Sequence, residues 1–232
     1  MTTPLAINGL IPDDVFPALA FDRIYVTVGN RWSTNGAYDH FAGAWNTASY
    51  RFHAAIGDLN ILIGSLSEAG PNPPPVDRYR QDQALADFFG NAFSAFESTF
   101  FALYSIGVFI SPIHFSLATP KDQQRVAPAQ TLAAFRTAFP TDPIVQDLET
   151  LLGEPTFKEM REIRNVVVHR SMPGRRMYVG LVQDDAPPTE WKMRNIKLNE
   201  EMTKNLLYNF QRNFSTLIEG IETFLSIKRQ QE

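Results

Sequence analysis

One apolar stripe runs unbroken from about residue 35 to 66: Tyr38, Phe41, Trp45, Ala48, Phe52, Ala55, Leu59, Leu62 and Leu66 recur at alternating spacings of three and four. Only a helix of roughly eight or nine turns places all of them on one face. Gly70-Pro-Asn-Pro-Pro-Pro75 must end it, because prolines cannot donate to the helical ladder and clash with the preceding turn. A helix with one wide apolar face has to bury that face, and the chain supplies partners of the same kind. The spacing predicts a second long helix from an N-cap at Asp77 to about Ile110, where Ser111-Pro112 stops it; its stripe is Leu85, Phe89, Ala92, Phe96, Leu103 and Ile110. A third long helix runs from an Asn199 N-cap to about Lys228 along Met202, Leu206, Phe210, Phe214, Leu217, Ile221 and Phe224. A shorter one opens at Pro155 and carries Phe157, Met160, Ile163 and Val167. The expected fold class is all-α: an antiparallel helical bundle of four to five core helices with a small β-hairpin appendage.

The remaining segments read as elaborations of a single domain over residues 35–232. Residues 1–34 form an N-terminal extension, in which Pro4, Pro12 and Pro17 break helices and Asp22-Arg-Ile-Tyr-Val-Thr-Val28 is a β-branched edge strand. Residues 111–154 are a connector with short helices announced by Thr119-Pro120, Pro128 and Thr141-Asp-Pro143. Residues 176–196 are a hairpin insertion: strands at Met177–Val182 and Glu190–Asn195, joined by a loop at Asp184-Asp-Ala-Pro-Pro188.

Composition excludes several chemistries. With no cysteine among 232 residues, disulfides, thiol nucleophiles and cysteine-bound zinc are ruled out. No uninterrupted apolar run of membrane-spanning length is present, and Met1-Thr-Thr-Pro-Leu has no signal-peptide pattern, so no membrane association and a cytoplasmic setting are expected. The net charge of −4 disfavours broad nucleic-acid binding. Its distribution is uneven: residues 158–197 hold nine Lys/Arg against five acids, while the rest holds twelve against twenty. Two readings of that basic segment stand: a solvated charged face, or a local attractor for phosphate.

The basic segment contains Arg161-Glu-Ile-Arg-Asn-Val-Val-Val-His-Arg170. At 3.6 residues per turn Arg161, Asn165 and His169 stack on one face, with Arg164 about 100° round from Asn165. Histidine moves protons near neutral pH, and a guanidinium fork matches phosphate oxygens and the charge of a pentacoordinate transition state. No metal or cofactor is needed, and none is signalled: the helices contain no Glu-x-x-His or His-Glu-x-x-His, no P-loop occurs, and His40, His53 and His114 lack a second ligand at metal spacing. Glu97 interrupts a second, largely aromatic stripe, Phe93, Phe101, Tyr104 and Val108. It either reaches water at the helix edge or is buried against a cation such as Arg164.

Arg164-Asn165-Val-Val-Val-His169 resembles the Arg-polar-x3-His signature of the HEPN superfamily, with the architectural match covering about residues 35–110 and 155–230. The resemblance implies a small helical bundle acting as a metal-independent endoribonuclease in toxin–antitoxin, phage-defence or RNA-processing systems. It implies a homodimer whose two motifs face one cleft, with RNA cleaved by 2′-hydroxyl attack to a 2′,3′-cyclic phosphate and a 5′-hydroxyl. By motif position His169 is the general acid/base, Arg164 the transition-state stabiliser and Asn165 their orienting neighbour; Arg161 and an acid on an earlier helix, here Glu97, support them. The resemblance also implies an antitoxin or other regulatory protein. Ser171 stands where one toxin subgroup has a tyrosine modified by its antitoxin, which argues against that form of regulation. Non-catalytic members that bind RNA, nucleotide or protein give the alternative function.

Overall fold

The computed structural model describes residues 16–176 and 189–230. Over these the chain is an all-α helical bundle with one small sheet. The helices are α1 (Ala18–Trp32), α2 (Tyr38–Ala69), α3 (Pro75–Ile110), α4 (Pro120–Arg125), α5 (Pro128–Ala138), α6 (Pro143–Gly153), α7 (Pro155–His169) and α8 (Glu200–Gln230). The strands are β1 (Arg175–Arg176), β2 (Glu190–Trp191) and β3 (Ile196–Lys197), antiparallel in the order β1-β2-β3. Arg175 pairs with Trp191, and Trp191 with Ile196.

The long helices follow the sequence periodicity within a few residues. α2 begins at Tyr38 and ends where Gly70 adopts φ +68°, a left-handed turn that glycine takes without a Cβ penalty, with its N–H returned to Leu66 O. α3 starts at Pro75, earlier than an Asp77 N-cap predicts, because proline is suited to a first helical position; Asp77 instead lies in the first turn, pairing with Arg80 at 3.2 Å. Asn199 does cap α8, its Oδ1 accepting from Met202 N at 2.9 Å. By length and composition α3 could cross a membrane, yet 56% of its most apolar stretch is buried in the fold, the pattern of a core helix.

Two further expectations need correction. Asp22–Val28 is part of α1, not an edge strand. Its β-branched residues favour strands locally, but Phe21, Ile24, Tyr25 and Val28 recur at helical spacing and are all buried, while Val26 is 56% exposed. Burial of that face outweighs propensity, so the segment read as an extension contributes core. The expected strand Glu190–Asn195 is shorter than predicted. Arg194 and Asn195 both have positive φ, 58° and 51°, which turns the chain and produces β3. The expected strand at Met177–Val182 and its loop lie outside the described residues.

The chain divides into two compact units, each drawing on several helices. The first comprises Met1–His53, Ser94–Lys158 and Gln211–Glu232. Its core is aromatic: Phe21 stacks on Trp45 with centroids 4.3 Å apart, Phe16 meets Phe52 edge-on at 5.0 Å, and Phe96 meets Phe214 at 5.6 Å. Here α3 also needs Gly107, where any Cβ would stand 2.5 Å from the Phe115 ring. Asp142 caps α6 and pairs with Lys228 at 2.9 Å, both side chains largely buried.

The second unit comprises Ala54–Phe93 and Glu159–Phe210. In it α2 and α3 run antiparallel: Gln81 Nε2 donates to Ser65 O and Gly70 O, and farther along Asn91 Nδ2 donates to Asp58 at 2.8 Å. Leu59, Leu62, Leu85, Phe88, Phe89, Met160, Ile163, Trp191 and Phe210 make its core. All the residues of the candidate site except Glu97 lie here.

Candidate active site

The closing turns of α7 are poor in helix formers, because Val166, Val167 and Val168 each lose rotamer freedom there. Packing holds them instead. Met160 and Ile163 are buried and Val166 and Val167 half-buried, while Val168 is 52% exposed, its Cγ2 3.7 Å from where a Cβ on Gly90 of α3 would stand. Arg170 N and Ser171 N both return to Val166 O, at 2.9 and 3.0 Å, and close the helix after His169. The buried edge fixes the opposite face, where Arg161, Asn165 and His169 stand one turn apart. Arg161 and His169 are exposed and Asn165 half-buried.

Arg164 leaves the helix between those faces. Its guanidinium carbon lies 5.4 Å from the centroid of the Phe93 ring on α3, whose electron-rich face attracts the cation. From there Nη1 donates to Asn165 Oδ1 at 3.1 Å and reaches His169 Nε2 at 3.4 Å. A guanidinium has only donors, so Nε2 must offer its lone pair. A tautomer carrying its proton on Nδ1 would satisfy this contact. Arginine, amide and histidine therefore meet at the open end of α7, with the amide holding the arginine.

Of the predicted site residues, Arg164, Asn165 and His169 are brought together. Arg161 shares their face one turn earlier. Glu97 is half-buried on α3 and belongs to the first unit. Phe93, read from the sequence only as part of an aromatic row, turns out to be the surface on which Arg164 rests. Ser111 Oγ lies 2.8 Å from His114 Nδ1, and His40 Nε2 lies 3.4 Å from Gln123 Nε2; His53 is exposed. Among the described residues no group of His, Asp and Glu could hold a metal ion.

The basic segment divides in a way its charge count does not show. Arg175 is internal, its side chain only 3% exposed. Nε donates to Asp82 Oδ1 at 2.8 Å and Nη1 to Gln81 Oε1 at 2.9 Å, with further bonds to Pro71 O and Arg78 O. The same Asp82 oxygen accepts from Trp191 Nε1 at 2.7 Å, and Thr189 Oγ1 donates to Asn72 at 2.6 Å. These bonds fix the sheet to the α2–α3 connection and the start of α3. A buried tryptophan needs an acceptor for its indole N–H, which is the one sequence signal for this anchor.

Comparison with known proteins yields no family model, no curated protein and no solved structure that the chain matches.

Proposed function

We propose that the protein is a metal-independent endoribonuclease of toxin or defence type. The reading is carried by the convergence of Arg164, Asn165 and His169, with Nε2 of the histidine 3.4 Å from the guanidinium. In the proposed reaction a phosphate of the RNA takes the Arg164 fork, which frees Nε2 to remove the proton from the adjacent 2′-hydroxyl. The 2′-oxygen attacks its own phosphorus, and Arg164 stabilises the charge that builds on the equatorial oxygens. The bond to the 5′-oxygen breaks, and that oxygen takes up a proton as it leaves. The products are a 2′,3′-cyclic phosphate and a 5′-hydroxyl. No cofactor enters. A homodimer, whose second histidine delivers the leaving-group proton, a regulatory antitoxin and a cytoplasmic setting belong to the same proposal.

The test is cleavage of mixed RNA in excess chelator, with the new ends mapped chemically. Cyclic phosphates should form, and substrate carrying 2′-deoxyribose at the cleavage site should resist. Cleavage that stops on chelation, or that ignores the 2′-hydroxyl, contradicts the mechanism.

One observation favours a second reading, a non-catalytic module that binds RNA or a nucleotide: Arg164 Nη1 stands 3.4 Å from Nε2, on the side from which a 2′-hydroxyl would have to approach. On that reading Arg164→Ala weakens binding in a titration while wild type leaves RNA intact.

A further inference from the structure

Beside the reactive face of α7 runs the turn between β2 and β3, Lys192 to Asn195. Lys192 N donates to Gly174 O at 2.8 Å, and the lysine stem lies over Gly174, 3.7 to 4.0 Å from where a Cβ would stand, shortly beyond His169 in the chain. At the other end of the turn Arg194 forms an ion pair with Glu162 of α7. Glu162 precedes His169 by two turns, about 10 Å along the axis and on nearly the same side of the helix. The turn thus lies along α7, with one cation beyond the helix end and one beside its middle.

The turn is aimed rather than trailing. Arg194 and Asn195 both hold positive φ, which asparagine tolerates and arginine adopts against its steric preference. The sheet beneath is fixed through Arg175, Trp191 and Asp82. Arg194 and Glu162 are each 48% exposed, and an ion pair that open to water is weak enough for a phosphate to compete for the guanidinium.

We propose that Lys192 and Arg194 form a second phosphate-binding subsite, which takes backbone phosphates flanking the scissile one. Glu162 occupies Arg194 until the strand arrives. The proposal rests on the RNA-directed reading of Arg164 and His169 and deepens it: the substrate is a single strand extended along α7, not a lone nucleotide.

The experiment uses the full chain carrying His169→Ala, so that bound RNA is not consumed. The probe is a fluorescent oligouridylate of about twelve nucleotides, followed by anisotropy over a range of salt. Each lost phosphate contact should lower the slope of log affinity against log salt by about 0.7. Arg194→Ala and Lys192→Ala should therefore each flatten the slope, together by about 1.4. Glu162→Gln should tighten binding, by up to about fivefold. All these side chains are exposed, and unchanged melting temperatures would exclude a folding effect. Binding whose slope and affinity are indifferent to Lys192 and Arg194 overturns the subsite and leaves the site at His169 standing. No binding of the oligonucleotide at all overturns both.

Discussion

Arg164 and Arg175 lie close in sequence, belong to the same basic segment and sit in the same compact unit, yet they are held in opposite ways. Arg175 is sealed from solvent, and its guanidinium is met by a carboxylate, a side-chain amide oxygen and two backbone carbonyls. Arg164 is half-buried on an aromatic ring, and its Nη1 lies 3.4 Å from the ring nitrogen of an exposed histidine. A guanidinium enclosed by fixed acceptors has nothing left to offer a ligand. One that leads to solvent beside an imidazole can exchange its partner for a phosphate. Burial and the company kept by each cation, rather than net charge, separate a structural arginine from the one proposed to do chemistry.

The contrast is broken most severely at Asp82. Asp82→Ala strands both the Arg175 guanidinium and the Trp191 indole N–H, and should cost about 3–5 kcal/mol in urea denaturation. A loss below about 1 kcal/mol would mean that the anchor does not hold the sheet. Arg164→Ala should do the reverse: RNA cleavage falls by about 10²–10³-fold, as when an electrostatic stabiliser is lost, while stability changes by about 1 kcal/mol. A stability loss of about 3–5 kcal/mol with Arg164→Ala would instead make this arginine structural as well.

Smaller changes sharpen the same contrast. Trp191→Phe keeps the ring but removes the N–H, leaving Asp82 one donor short, and should cost about 1–3 kcal/mol without touching cleavage. Asp58 is the counter-example to Asp82: a half-buried carboxylate that accepts from Asn91, with its pKa raised by burial and, to a lesser degree, by Asp87. Because the folded state holds this proton more tightly than the unfolded chain, the group's contribution to stability declines as pH rises above about 4. Asp58→Asn should therefore be slightly more stable than wild type at neutral pH, and the advantage should vanish as pH falls through about 4. A pH series of melting temperatures reads it directly.

Much of this fold was legible because its long helices advertise themselves. The α2 stripe from Tyr38 to Leu66 and the proline run after it leave one reading, and the α8 cap at Asn199 follows the same logic. α1 is not legible in the same way: Ile24, Val26 and Val28 carry strand propensity, and only tertiary burial of Phe21, Ile24 and Val28 decides for helix. The meeting of Arg164, Asn165 and His169 could be anticipated, since it depends on helix geometry within a few residues. The Phe93 platform and the Arg175–Asp82–Trp191 anchor could not, since they join residues far apart in sequence and no local pattern pairs them. Lys192 and Arg194 were visible as charges, but not as a turn laid along α7.

The most direct test sets wild type against His169→Ala on RNA in excess chelator, with melting temperatures measured in parallel. His169 is exposed at the end of α7, so its loss should leave stability nearly unchanged while cleavage falls by about 10²–10⁴-fold and the 2′,3′-cyclic ends disappear. Wild type that cuts no better than His169→Ala would contradict the assignment of this site as a ribonuclease centre.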